Sequence, residues 1–125
     1  MKRLAQRLPL TVPVYQILLT LADRDLHGYA IIQDIRERTA GEVDLTASTL
    51  YAAVGRLLDG GLIAELDDRR PGAGEDSRRR TYRIEPKGRD LLRLEALRLE
   101  RSAQMARDKR VIPALADPST EGERS

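Results

Sequence analysis

Cysteine is absent from all 125 residues, which excludes disulfides and thiolate chemistry. Tryptophan and phenylalanine are absent too, so four tyrosines supply all the aromatic surface. The one histidine, His27, cannot build a histidine metal cluster or a catalytic dyad within one chain. Ser48 and Thr49 have no neighbouring base to activate a hydroxyl, and no glycine-rich loop is built to cradle phosphate. These gaps speak against an enzyme and lead us to expect neither a metal nor a cofactor. No apolar run approaches the roughly 20 residues that span a bilayer. Met1-Lys2-Arg3 is not followed by a signal-peptide core, so a cytoplasmic protein without a membrane partner is expected.

What remains is a short, charged chain. It is 41% hydrophobic and 34% charged, with a net charge of +2. That is enough for one domain with a modest core, and small domains gain from a partner subunit. The net charge says little about nucleic acid. The placement of the charges says more.

Leu45 to Leu66 organises the rest. Thr46 can cap a helix by accepting a first-turn amide. Leu50, Val54, Leu57 and Leu58 then recur at helical spacing, and Asp59-Gly60-Gly61 stops the helix. Leu62, Ile63 and Leu66 begin a strand. The other face carries Ser48, Thr49, Tyr51, Ala52, Ala53 and Arg56, all small or hydrogen-bonding and none acidic. Such a face suits a groove lined with phosphates, as in a recognition helix reading base edges. The plainer alternative is an ordinary half-buried helix.

Upstream, residues 1–9 carry Lys2, Arg3 and Arg7 and are expected to be loosely ordered. A first helix is predicted from Val12 to Ala22, capped by Thr11, with Pro13 in its first turn and Val14, Ile17, Leu18 and Leu21 inward. Asp23-Arg24-Asp25 is a polar break. His27-Gly28-Tyr29 opens a second helix with Ile31, Ile32 and Ile35 inward, and Thr39-Ala40-Gly41 ends it. A second strand is predicted over 80–84. Between the strands Pro71, Gly72 and Gly74 mark a turn, flanked by Arg69 and Arg70 before it and Arg78, Arg79 and Arg80 after it. Three short helices and two strands make a winged helix-turn-helix domain over residues 1–85, mainly α with a small β wing. A hairpin would gather the five arginines at one end of the sheet to hold phosphates. Asp67, Asp68, Glu75 and Asp76 dilute that charge, and the alternative is a solvated loop.

From Pro86 a last helix is predicted to about Arg110, leaving residues 111–125 as a disordered tail. Leu92, Ala96, Leu99, Ala103 and Ala106 share one side, while Leu94, Leu97 and Met105 lie roughly opposite. Two apolar sides need two partners. One is the chain's own domain; the other is most simply a second subunit, making residues 86–110 a dimerisation helix. Tyr15, Tyr29 and Tyr82 are read as core or interface residues, and the scattered carboxylates as solvated ion pairs.

Together these fragments resemble the PadR family of transcriptional regulators: His27-Gly28-Tyr29-Ala30-Ile31, Ser48-Thr49-Leu50-Tyr51-Ala52, Gly61-Leu62-Ile63, and Arg79-Arg80-Thr81-Tyr82-Arg83-Ile84 followed by Pro86-Lys87-Gly88. The resemblance covers residues 10–105 and is similar to the subgroup with a single C-terminal dimerisation helix. It implies a dimeric repressor on double-stranded operator DNA, released by a small-molecule inducer. The family's founding branch senses phenolic acids, and others answer multidrug-like compounds. Three departures stand out. Gly55 replaces a frequent basic residue, Glu85 replaces the usual Thr before Pro86, and no Trp or Phe can form a drug-stacking platform. The competing reading is a winged-helix protein–protein interaction module that does not bind DNA. For a DNA reader, an A·T-rich inverted repeat with half-sites about 34 Å apart is expected.

Overall fold

The computed structural model describes residues 4–66 and 80–116. Helix α1 spans Val12–Thr20, strand β1 Leu26–His27, helix α2 Gly28–Arg38 and helix α3 Ala47–Asp59. Strands β2 (Ile63–Leu66) and β3 (Thr81–Ile84) follow, and helix α4 runs over Pro86–Asp108. This is the mainly helical winged-helix architecture that the pattern predicts.

The first three helices each start where a side chain can take an orphan amide. Thr11 accepts from the Val14 amide at 3.4 Å, and Pro13 sits in the first turn of α1. His27 caps α2 through Nδ1, which accepts from the Ala30 amide at 3.3 Å. Thr46 accepts from the Thr49 amide at 3.1 Å. At the other end of α3, Gly61 adopts φ 72°, and the Leu62 amide donates back to the Leu57 carbonyl at 2.9 Å. This is the glycine stop read from Gly60-Gly61. Ala40 and Gly41 close α2 in the same left-handed region.

Three faces meet in one core. Ile17, Leu18 and Leu21 come from the α1 region, Ile31 and Ile35 from α2, and Leu50, Ala53, Val54 and Leu57 from α3. Leu62, Ile63, Tyr82, Ile84, Leu91 and Leu92 complete it. Each fully buried Leu or Ile contributes roughly 1.5–3 kcal/mol. Ile32 and Leu58 are only partly buried and lie at the margin.

The sheet is antiparallel in the order β1-β3-β2. Leu66 stands opposite Thr81 and Ile63 opposite Ile84. Strand β1 pairs through Leu26 with Tyr82 and His27 with Thr81, and the sequence pattern does not announce it. Two residues carry too little alternation to be seen. The polar break before it is also tied down: Asp25 accepts from Arg83 at 3.2 Å and Arg24 pairs with Asp34 at 2.7 Å.

Several expectations change. Residues 4–7 form a 3-10 turn, and Leu8 and Leu10 pack against the core, so residues 4–10 are not loosely ordered; Lys2 and Arg3 lie outside the described residues. The Leu10 amide donates at 2.7 Å to Oε2 of Glu95, a carboxylate that is only 2% exposed. Glu95 is therefore not one of the solvated charges, and burial is tolerable because hydrogen bonds accompany it. Helix α1 ends at Thr20, before Ala22: Leu21 is the C-cap, and the Ala22 amide turns back to the Leu19 carbonyl at 3.2 Å instead of continuing the helical ladder.

The chain divides into two compact units, one ending at Glu95 and the other beginning at Ala96. Leu92, expected at a subunit contact, belongs to the core of the first unit. In the second, Leu97, Leu99 and Met105 are exposed, and α4 ends in a turn where Arg110 has φ 61° and the Val111 amide returns to the Ala106 carbonyl. Residues 111–116 carry no regular secondary structure. Among the described residues, no helix is long and apolar enough to cross a membrane.

Candidate nucleic-acid interface

The outer face of α3 is the face opposite its buried stripe. Leu50, Ala53, Val54 and Leu57 turn inward, which leaves Ser48, Thr49, Tyr51, Ala52 and Arg56 exposed together. At 100° per residue, Ser48, Ala52 and Gly55 form the centre line. Tyr51 flanks it on one side, with Thr49 and Arg56 on the other. The acid-free character holds until Asp59, which ends the helix on the same line. The Thr49 hydroxyl accepts from Thr46 Oγ1 at 3.0 Å, so its own proton stays available to an outside acceptor.

Tyr51 is 52% exposed, yet it is not simply a surface residue. A Cβ on Gly28 would stand 2.5 Å from the Tyr51 hydroxyl and 3.2 Å from Leu50 Cδ2. The small residue at the start of α2 and the phenol on α3 are thus complementary. In the sequence they stand far apart and give no sign of their coupling. Tyr82, buried beneath, has its hydroxyl pushed above the ordinary phenol value, first by burial and then by the Glu65 and Tyr51 side chains, against the opposing pull of Arg80. It stays protonated.

At the base of the wing Arg80 is exposed and pairs with Glu65 across the strands at 2.9 Å. The chain leaves the sheet at Leu66 directly opposite its re-entry at Thr81, which puts Arg80 at that end of the hairpin. Arg69, Arg70, Arg78 and Arg79, and the turn at Pro71, Gly72 and Gly74, lie outside the described residues. Arg56 faces more than the outer surface. It stands with Arg7 at the edge of a largely apolar pocket of about 190 Å³ floored by Leu10, Val14, Leu57, Leu62 and Leu91.

The scaffold holding α3 is pinned by polar contacts. The carboxylate of Asp34 on α2 accepts from Thr20, Arg24 and Arg38 at 2.7–2.8 Å. Burial alone would raise its pKa, but the bonds from Arg38, Thr20 and Arg24 outweigh it and hold the group below the ordinary carboxylate value. Lys87 donates to the Gly60 carbonyl at 3.2 Å, placing a cation at the negative end of α3. Among the described residues, no cluster of three or more His, Asp or Glu could hold a metal. For the expected interface set in the last helix, Ala96 and Leu99 are exposed, Ala103 and Ala106 half-buried, and Leu92 buried.

The profile of the transcriptional regulator PadR-like family matches residues 17–94, and the chain belongs to that family. No functionally curated protein matches it. Solved structures do. A transcriptional regulator from Clostridium thermocellum is 29% identical, with TM-score 0.65, covering 77% of this chain and 87% of the other. A PadR family transcription regulator from Clostridium difficile is 23% identical, with TM-score 0.67 and coverages of 78% and 97%. Bacillus subtilis PadR in complex with operator DNA is 21% identical, with TM-score 0.57; the match covers 88% of this chain and 52% of that one. The last two likenesses speak for the fold.

Proposed function

We propose that this protein is a sequence-specific DNA-binding regulator: a homodimeric repressor of the cytoplasm that a small molecule releases from an inverted-repeat operator. The observation that carries the reading is the outer face of α3, where Ser48, Thr49, Tyr51 and Ala52 are exposed together on a helix capped at both ends. Hydroxyls and methyls of this size fit a major groove. The hydroxyls donate or accept, and the Thr49 and Ala52 methyls meet thymine methyls, which favours A·T-rich sites. Arg56 and Arg80, with Arg69, Arg70, Arg78 and Arg79, supply phosphate contacts that orient the dimer. The side of α4 with Ala96, Leu99, Ala103 and Ala106 faces the second subunit. The apolar pocket of about 190 Å³ beside Arg7 and Arg56 supports the small-molecule part, because a ligand there would press on α3 from behind.

Footprinting on the region upstream of its own gene tests the reading. Protection of an inverted repeat with half-sites about 34 Å apart is expected. A folded Tyr51→Ala, Thr49→Ala double variant with full operator affinity would remove α3 as the reading helix. A dimer without salt-sensitive binding to any duplex would point instead to a protein-interaction module. Deleting the gene should raise transcription from the footprinted promoter; a fall would make the protein an activator.

A further inference from the structure

Of the two roles read for Tyr29, core or interface, the structure removes the core: Tyr29 is 66% exposed, more than Tyr51 at 52% and far more than Tyr82 at 3%. Its neighbour Gly28 is the residue that the Tyr51 hydroxyl approaches. Tyr29 is thus one residue further along α2 from the point that the Tyr51 hydroxyl of α3 reaches, and both phenols are exposed. We propose that Tyr29 is a second DNA-gripping residue, its hydroxyl donating to a backbone phosphate next to the region that Tyr51 approaches.

The rest of α2 fits this role. Gln33 and Arg36 follow Tyr29 at spacings of four and three, so the exposed stripe Tyr29, Gln33, Arg36 runs along one side of the helix. All three can donate hydrogen bonds. The acid that could spoil the stripe is turned away, since Asp34 is held by Thr20, Arg24 and Arg38 towards α1. Glu37 is exposed beside Gln33 and Arg36 at the C-terminal end of α2, which leaves the Tyr29 end of the stripe free of acid. In a helix-turn-helix the helix before the recognition helix crosses the phosphate backbone. Tyrosine hydroxyls are ordinary phosphate donors that fix register without reading sequence.

The inference rests on the DNA-binding reading above, and its signature differs from that of an arginine. A neutral donor releases no counterion, so losing it lowers affinity without changing the salt slope. The test uses the full-length protein with two fluorescein-labelled duplexes, one from its own upstream region and one of mixed sequence. Tyr29→Phe keeps the ring and should bind both duplexes about tenfold more weakly, with an unchanged log–log salt slope. Arg80→Ala should flatten the slope, and Thr49→Ala should weaken only the upstream duplex. If Tyr29→Phe and Tyr29→Ala both bind like wild type while Arg80→Ala flattens the slope, the Tyr29 contact is refuted and the DNA-binding reading survives. If Tyr29→Ala weakens binding and Tyr29→Phe does not, the ring and not the hydroxyl is used, which also overturns the phosphate contact. A dimer–monomer shift in Tyr29→Phe would reassign the residue to a subunit contact. Wild-type protein that binds neither duplex overturns both readings.

Discussion

Helix α4 has two halves with opposite surroundings. In the first, Gly88, Leu91, Leu92 and Glu95 are buried against the winged domain. In the second, Leu97, Leu99 and Met105 remain exposed. Both halves carry leucines at helical spacing, so periodicity marks the apolar sides of the helix but not which residues the domain itself consumes. The discriminating residue is Gly88. A Cβ there would collide with the Leu62 carbonyl oxygen, which means the helix lies directly on the backbone leading into β2. A glycine in the first turn of an otherwise helix-favouring sequence thus marks the close approach, and the exposed half has no such residue.

The comparison is broken most severely in the first half of α4. Gly88→Ala pushes α4 off a carbonyl that also accepts from the Glu85 amide at 2.9 Å, so neither side can yield alone. A loss of about 3 kcal/mol is expected from chemical denaturation, at the upper end for overpacking. Leu91→Ala, in the same half, should lose about 2–5 kcal/mol by leaving a cavity. A Gly88→Ala protein as stable as wild type would show that the first half of α4 does not lie on the Leu62 backbone.

The second half should respond in the opposite way. Leu99→Glu places a charge on the side shared with Ala96, Ala103 and Ala106, and Leu97→Glu on the other. Neither should lower the stability of the winged domain. Sedimentation at micromolar concentration should give a monomer for Leu99→Glu and a dimer for Leu97→Glu. The reverse result would reassign the subunit contact to the side of Leu94, Leu97 and Met105. Leu92 is a poor probe of that contact, because a charge there would unfold the domain before it separated subunits.

A smaller effect tests the polar clasp between α1 and α2. The pKa of Asp34 in the folded state lies below its ordinary value of 3.8. Its contribution is therefore complete above about pH 4 and is lost as pH falls through the lower folded value. Asp34→Asn should reduce stability at pH 7 by on the order of 1 kcal/mol and flatten the acid limb of the stability curve. An unchanged acid limb would mean that the three bonds seen at Asp34 add nothing net.

Much of the fold is legible in the sequence alone. Thr11, Thr46, Gly61 and the stripe Leu50, Val54, Leu57 declare helix bounds and an inner face through local chemistry. The outer face of α3 follows from the inner one by subtraction. What stays hidden depends on contacts distant in the chain. The match of Gly28 to Tyr51, the bond from Leu10 to Glu95 and the two-residue strand at Leu26 leave no periodic trace. Tyr29 stays open in the sequence because an aromatic at a helix start fits core and interface alike until its direction is known. Glu95 misleads because a carboxylate among arginines normally points to water, and only the fold reveals that an N-terminal amide reaches it.

The smallest predicted change sits at Gly55, where the outer face of α3 is emptiest. A Cβ there would meet nothing within 4 Å, unlike Gly28 and Gly88. The residue lies inside a helix, where glycine is about 1 kcal/mol less favourable than alanine. Gly55→Ala should therefore stabilise the protein by up to about 1 kcal/mol, and operator affinity should hold if the groove has room for a methyl. Gly55→Lys adds a charge on the centre line between Ala52 and Asp59. If that line faces DNA, the lysine should strengthen binding to every duplex and steepen the log–log salt slope by about 0.9. If Gly55→Lys stabilises the fold but leaves the slope unchanged, the centre line does not face phosphates. If Gly55→Ala stabilises the fold yet abolishes operator binding, the glycine instead marks a close approach of the helix backbone to the DNA.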